Sequence, residues 1–179
     1  MKKAKELLAS RGYNENNKFK FDLWYTPSHY GDTEVDLAAV IQKQLEATGV
    51  MKVNVKSAEW ATYRDQWHNK QMQAYLLGWY PDYIDPDNYT AAFAGTAGSA
   101  GMGIYFSDPK WDEILTKGQT VPDMEKRTEI YKEIQEMWAV DVPTCPIFQG
   151  TLYVFTQKNV HGVKLSPTLR FNYDPLYKD

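Results

Sequence analysis

"KFKFDLWY", residues 18–25, decides the fold class of this chain. Every second residue of the stretch is large and apolar, which is the period of a β-strand with one buried face: Phe19, Phe21, Leu23 and Tyr25. Farther along, "MKVNVKS" at 51–57 alternates in the same way, and the continuous apolar run at 74–77 is typical of a strand covered on both faces. Helical stripes lie between these stretches, one closing at Gly49 and one over 60–70. The order strand, helix, strand, helix, strand predicts a layered α/β lobe, with a mixed sheet flanked by helices.

The second half of the chain is less regular. "GTAGSAGMG" at 95–103 is too rich in glycine to pack by itself, so we expect a flexible loop. Asp108 and Pro109 have the residue types of an N-cap and a first helical position, and a longer apolar stripe predicts a helix over 123–140. The residues at 143–163 are β-like and predict a hairpin. No linker or internal repeat divides the chain, and we expect a single domain over 1–179.

Composition and charge exclude several classes of protein. The chain has 43% hydrophobic and 24% charged residues, as in an ordinary soluble domain. Its net charge is -3, with lysine and arginine spread along the sequence, so we expect no binding to nucleic acid. No apolar stretch is long enough for a membrane helix, and the first residues lack the apolar run of a signal peptide. We therefore expect this chain, as it stands, to have no export signal and no direct membrane insertion.

"GWYPDYIDPDNY", residues 78–89, places three carboxylates among aromatic rings with no lysine or arginine nearby in sequence. The spacing does not fit a calcium loop, and acids so close in sequence are not evidence of a glycosidase pair. Asp85 and Asp87 have the spacing of residues that cap a short helix beginning near Pro86. Asp82 differs, because it follows a predicted buried strand, and ligands of open α/β sheets bind beyond the carboxyl ends of strands.

Asp82 is therefore the candidate binding residue, with the rings of Trp79, Tyr80 and Tyr83 as candidate pocket walls. Such a carboxylate would attract an ammonium group by a charge-assisted hydrogen bond and cation–π contacts. The alternative is a solvated loop aspartate, and the residues alone leave the two interpretations open.

Other chemistry has weaker support in the sequence. Cys145 is the only cysteine and lies in an apolar run, so we expect a buried, inert thiol rather than a nucleophile. The three histidines have no metal-binding or catalytic spacing, and the glycine-rich stretch lacks the Lys-Ser/Thr ending of a phosphate loop. We expect no cofactor, no metal and no catalytic residue.

Several motifs, in their order along the chain, resemble the family 5 extracellular solute-binding proteins, the oligopeptide, dipeptide and nickel receptors of ABC importers. The motifs are Ala4-x-x-Leu7-Leu8-x-x-x-Gly12-Tyr13, "GWYPDYIDPDNY", "YFSDPKWDEIL" and "RTEIYKEIQEMWAVDVPTCPIF". The resemblance covers nearly the whole chain. It implies a lobe of the type II periplasmic binding proteins, namely the C-terminal ligand-binding lobe of a two-lobe receptor whose N-terminal lobe is absent here.

The resemblance also implies a function. In peptide-binding members the aspartate that matches Asp82 pairs with the peptide α-ammonium, and Trp79 would line the same pocket. The implied partners are a peptide or another small solute, the missing N-terminal lobe and an ABC transporter permease, and the full-length parent would be extracellular or periplasmic. Many relatives carry an Asn where this sequence has Gly101-Met102-Gly103. The ligand contacts that the family makes from this loop are therefore less well supported for this chain. A sugar or nickel-chelate receptor, a hydrolase using Asp82 and a free-standing interaction module remain alternatives.

Overall fold

The computed structural model describes residues 1–168 and 170–179. The chain divides into two compact units, Met1–Gly78 and Trp79–Asp179. The single domain expected over 1–179 stays a prediction. Within the described residues, every helix is too short or too polar to cross a membrane.

The first unit is built on a parallel sheet. Its elements are α1 (Lys2–Ala9), β1 (Phe19–Tyr25), α2 (Glu34–Glu46), β2 (Met51–Ser57), α3 (Trp60–His68) and β3 (Ala74–Tyr75). The strand order is β2-β1-β3, and both neighbours of β1 run parallel to it. The predicted alternation of strands and helices is thus confirmed in this unit.

The core of the first unit lies between β1 and α2. Leu23, Ala38, Val53 and Leu76 are buried together, with the other apolar residues of the alternating pattern packed around them. The run at 74–77 was predicted to be a strand covered on both faces, and this prediction is wrong in extent. Only Ala74–Tyr75 pairs with β1, so β3 is a short strand at the edge of the three-stranded sheet.

Aromatic side chains cover the second face of this sheet. Tyr63 and Trp67 of α3 contact the ring of Tyr75, which points away from the side of Ala74 because side chains alternate along a strand. The Tyr63 hydroxyl lies 2.7 Å from the carbonyl oxygen of Leu76 and 3.1 Å from that of Trp24, and it donates to these acceptors. Tyr63 thereby ties α3 to β1 and to the residue that follows β3.

The second unit is mainly helical. Its elements are α4 (Pro86–Ala94), α5 (Thr96–Gly101), α6 (Pro109–Thr120), α7 (Met124–Asp141), and the short antiparallel pair β4 (Val160–His161) and β5 (Tyr177–Lys178). Trp111, Ile114 and Ile134 are central to a core shared by α6 and α7. Asp108 caps α6 as predicted, since its carboxylate accepts a hydrogen bond from the backbone N–H of Lys110.

The glycine-rich stretch at 95–103 is not a loop, contrary to our prediction. Most of it forms α5, and its Ser99 is completely buried, donating a hydrogen bond to the carbonyl oxygen of Phe106. A Cβ atom on Gly98 would lie 2.8 Å from Cα of Ala92 and would also collide with the carbonyl oxygen of Ala91. The small residues are therefore required for close packing of α5 against α4.

The hairpin predicted at 143–163 is absent from the described structure. The stretch carries no paired strand before β4, and its aromatic side chains are exposed, with Phe148, Tyr153 and Phe155 at 68%, 74% and 93%. Cys145 is exposed as well, so the expectation of a buried thiol is wrong. An apolar sequence is buried only where another part of the fold packs against it. Within the described residues, nothing packs over these aromatic side chains closely enough to bury them.

Candidate functional site

Asn88 organises the segment that carries the candidate residues. Residues 79–85 contain no helix or strand, and Asn88 follows them in the first turn of α4, where it is 8% exposed. Its Oδ1 accepts hydrogen bonds from the indole Nε1 of Trp79 at 3.0 Å and from the backbone N–H of Asp82 at 3.2 Å. One buried amide oxygen therefore fixes the position of both residues.

The carboxylate of Asp82 lies at the surface. The residue is exposed, and within residues 1–168 and 170–179 its side chain has no hydrogen-bond or ion-pair partner. Its backbone, in contrast, is held by Asn88, and the preceding Pro81 is buried. The fold thus presents a fixed but unpaired negative charge to solvent.

The three predicted wall residues occupy different environments. Trp79 is half-buried and packs edge-to-face on Phe93, with ring centroids 5.3 Å apart. Tyr80 and Tyr83 are 47% and 49% exposed, so large parts of their rings face solvent. Trp79 is a rigid support beside Asp82, whereas the two tyrosines offer accessible aromatic surface.

Asp85 has a structural role with a distant partner. Its carboxylate caps α4 by accepting from the backbone N–H of Asp87 at 2.8 Å, as the capping prediction requires. It also forms a bidentate ion pair with the guanidinium of Arg127 on α7, with N to O distances of 2.6 and 2.7 Å. Hydrogen bonding to Arg127 holds the pKa of Asp85 below its ordinary value.

Asp87 lies in the first turn of α4, and its carboxylate is also occupied. Oδ2 accepts a hydrogen bond from the hydroxyl of Tyr83 at 2.5 Å, and Oδ1 accepts one from the side-chain amide of Gln119 at 2.7 Å. The hydrogen bond to Asp87 raises the pKa of Tyr83, because the negative carboxylate favours the protonated phenol. Of the three carboxylates in the motif, Asp82 alone has no protein partner among the described residues.

Sequence reasoning missed two residues of this arrangement, Asn88 and Arg127. Asn88 stands in the quoted motif, but only its burial distinguishes it from an ordinary helix-turn asparagine. Arg127 is 42 positions from Asp85, and no local pattern connects the two. The described residues contain no group of three or more metal-ligating side chains close enough to hold an ion.

Comparison with known proteins assigns the chain to a family. The model described as "Bacterial extracellular solute-binding proteins, family 5 Middle" matches residues 1–101, more than half of the chain. The chain belongs to this family. Its members are bacterial extracellular solute-binding proteins, so the resemblance seen in the sequence motifs is confirmed.

Individual relatives are consistent with this assignment. A dipeptide-binding protein of Pseudomonas aeruginosa is 33% identical over 171 residues, which is 94% of this chain and 32% of the relative. Heme-binding protein A of Haemophilus influenzae is 30% identical over 98% of this chain and 31% of its own length. The chain therefore spans about a third of the length of the curated relatives it matches.

A solved structure confirms the fold. The dipeptide-binding protein of Pseudoalteromonas sp. SM9913, solved in complex with Met-Leu, superposes with a TM-score of 0.83 at 27% identity. The superposition covers 99% of this chain and 35% of that one. The predicted α/β fold of the type II periplasmic binding proteins is thereby confirmed.

Proposed function

We propose that this chain is the ligand-binding lobe of the solute-binding component of an ABC importer, and that it captures peptides through their α-ammonium group. Asp82 is the ammonium partner in this proposal, and Trp79, Tyr80 and Tyr83 are the aromatic walls. The function is capture and not catalysis. The likeness to dipeptide-binding relatives of the same family supports the choice of ligand.

The observation that carries the proposal is the exposed carboxylate of Asp82. An exposed carboxylate with no partner within the described residues, on a backbone fixed by Asn88, is already arranged to accept a charged hydrogen bond. Such a bond contributes about 1.5–3 kcal/mol net, and more where water is excluded. The exposed rings of Tyr80 and Tyr83 can add cation–π contacts and pack on peptide side chains.

The proposed partners follow from the extent of the chain. Because it spans about a third of its relatives, we propose that an N-terminal lobe completes the receptor and closes over the ligand. The exposed apolar side chains at 147–155 support this proposal, because large apolar side chains that are exposed close together in sequence are often covered by another surface. An extracellular or periplasmic parent that delivers its ligand to a permease is the corresponding biological setting. We expect the isolated chain to bind peptides weakly, because it supplies only part of the walls.

The alternatives differ in their support. A different small solute, such as a sugar or a metal chelate, is the second candidate. One relative of this chain is named for heme binding, so the names of the relatives are not limited to peptide ligands. A hydrolase would need a second carboxylate beside Asp82. Asp85 and Asp87 are the nearest in sequence, and both are occupied by protein hydrogen bonds.

The test is calorimetric titration of the full-length parent with a mixed pool of di- to pentapeptides. The unsubstituted protein is compared with Asp82→Asn and with Asp174→Asn, which removes another exposed aspartate of the same unit. We expect Asp82→Asn to lower affinity at least about tenfold, as the loss of a charged hydrogen bond predicts. Asp174→Asn should bind like the unsubstituted protein.

N-acetylated peptides provide the second arm of the experiment. They lack the α-ammonium, so they should fail to bind the unsubstituted parent. They should fail to bind Asp82→Asn as well. Equal affinity for free and acetylated peptides would remove the ammonium role of Asp82. Peptide turnover that is lost in Asp82→Asn would favour the hydrolase, and no response to any peptide would move the search to sugars and metal chelates.

A further inference from the structure

The first unit contains a cavity beside the connection from β1 to α2. Its volume is about 300 Å³, at the lower end of the range of about 300–1,000 Å³ typical of small-molecule pockets. Tyr25, Pro27 and Val35 give it apolar walls, and Asp32 and Glu34 contribute carboxylates. None of the described lining residues is a lysine, arginine or histidine. The cavity is therefore apolar on its sides and negative in charge.

Glu34 is the unusual member of this lining. It is only 7% exposed, and within residues 1–168 and 170–179 no basic side chain forms an ion pair with it. Its carboxylate accepts a hydrogen bond from the backbone N–H of Thr26 at 3.2 Å. Burial raises the pKa of Glu34, because desolvation disfavours the charged form.

The neighbours of Glu34 do not offset the free-energy cost of burying its charged carboxylate. The hydroxyl of Thr26 is fully buried and has no hydrogen-bond partner in the described structure. The neighbouring hydroxyl of Tyr63 donates to backbone carbonyls, and burial together with the negative charge of Glu34 raises the pKa of Tyr63. A buried carboxylate without a counter-charge is costly, and such groups are concentrated where a ligand supplies the missing partner.

We propose that this cavity is a cation-binding site, in which Glu34 pairs with an ammonium or guanidinium group of a ligand and Asp32 adds negative charge at the same cavity. The apolar walls fit the methylene stem of a basic side chain, and Tyr25 can make a cation–π contact. The small volume favours one side chain or a small alkylamine over a larger molecule. The use of this site for a basic side chain of a captured peptide rests on the proposed function, whereas cation binding itself does not.

The test uses this chain and probes that lack a terminal amine, so that the α-ammonium role of Asp82 does not enter. Acetyl-Ala-Lys-Ala-amide, acetyl-Ala-norleucine-Ala-amide and n-butylammonium are titrated, and backbone amide shifts are followed by ¹H–¹⁵N NMR. We expect the lysine peptide to shift the amides of Thr26 and Glu34 saturably, and the norleucine peptide to leave them unchanged. A matching response to n-butylammonium would identify the free amine as sufficient, and a response to the lysine peptide alone would assign the site to peptides.

Variants test whether Glu34 itself supplies the charge that holds the cation. Glu34→Gln keeps a side-chain oxygen for the Thr26 amide but removes the charge, and should weaken the lysine peptide at least about tenfold. Asp65→Asn, which removes an exposed aspartate of the same unit, should bind this probe like the unsubstituted chain. Equal shifts with the lysine and norleucine peptides overturn the proposal without any variant. Unchanged affinity in Glu34→Gln, or no saturation by either cation, overturns it as well.

Discussion

Arg127 and Asp85 form a bidentate ion pair, with N to O distances of 2.6 and 2.7 Å, between residues 42 positions apart. The side chains are 16% and 25% exposed, and Arg127 also donates from Nε to the carbonyl oxygen of Gly118 at 2.7 Å. Because Asp85 caps α4, this pair joins α7 to the end of the segment that presents Asp82. The positive charge missing from the motif is supplied by a different helix.

We expect Arg127→Met to lower the free energy of unfolding by about 2–3 kcal/mol, because it leaves Asp85 partly buried without its charged donor. The measurement is the urea midpoint at neutral pH. Lys132→Met on the same helix is the matched control, since its ion pair with Glu129 is mostly exposed. It should change stability by less than about 0.5 kcal/mol. Equal costs for the two variants would contradict a special role of the Arg127 pair.

The Asp85 pair should also make stability depend on acid pH. The pKa of Asp85 is lowered in the folded state, so its contribution is complete above the unfolded pKa of about 4 and is lost as the pH falls from there through the folded pKa. Asp85→Asn retains a capping oxygen but not the charge. The stability difference between it and the unsubstituted chain should be largest near pH 7 and shrink below about pH 4. A stability difference that does not vary with pH would show that Asp85 stabilises the fold through capping alone.

Asn88→Ala should destabilise the second unit and release Trp79. The substitution removes the acceptor of two buried or half-buried donors, at a cost of about 1–3 kcal/mol. We expect a red-shifted tryptophan emission, assigned to Trp79 by repeating the measurement in a Trp79→Phe background. Asn16→Ala is the control, because the Asn16 side chain is exposed and only its backbone N–H makes a described hydrogen bond. An unchanged spectrum would show that the indole does not depend on this bond.

Gly98→Ala should lower the free energy of unfolding by about 1–3 kcal/mol, because the new Cβ would meet backbone atoms of Ala91 and Ala92 that cannot rotate away. Gly101→Ala in the same helix has open space around the new atom, and should be neutral or more stable by up to about 1 kcal/mol. Thermal unfolding of both variants measures the contrast. Similar melting temperatures would mean that α5 does not pack on α4 as described.

Glu34→Gln should raise stability near pH 7 in the absence of ligand. The folded-state pKa of Glu34 is raised, so ionising it as the pH rises through the interval between the unfolded and folded pKa values costs stability. The glutamine has no such penalty and keeps an acceptor for Thr26. The variant should therefore melt higher than the unsubstituted chain at pH 7 and equally at pH values below the unfolded pKa. A lower melting temperature at pH 7 would indicate that the charge is stabilising.

Local patterns predicted the regular elements well. The alternation at 18–25 and 51–57 became the two paired strands of the parallel sheet, and Asp108 became the predicted cap of α6. These features follow from side-chain period and from hydrogen bonds between near neighbours, which a short window contains in full. The same reasoning failed where the outcome depended on a partner elsewhere. Small residues at 95–103 form a helix because α4 packs closely against it, and the apolar stretch at 143–163 has no strand partner within the described chain.

The sequence by itself determined the class of fold, the family and the candidate residue Asp82, because these rest on local periodicity and on motifs in a fixed order. It did not determine which of the three acids in the motif is available. That was decided by the tertiary structure, in which Arg127 occupies Asp85, Gln119 contacts Asp87, and Asn88 holds the backbone of Asp82 while leaving its carboxylate exposed. The burial of Glu34, which has no ion-pair partner within residues 1–168 and 170–179, was likewise invisible in the sequence, because burial and the positions of charged neighbours are properties of the folded surroundings.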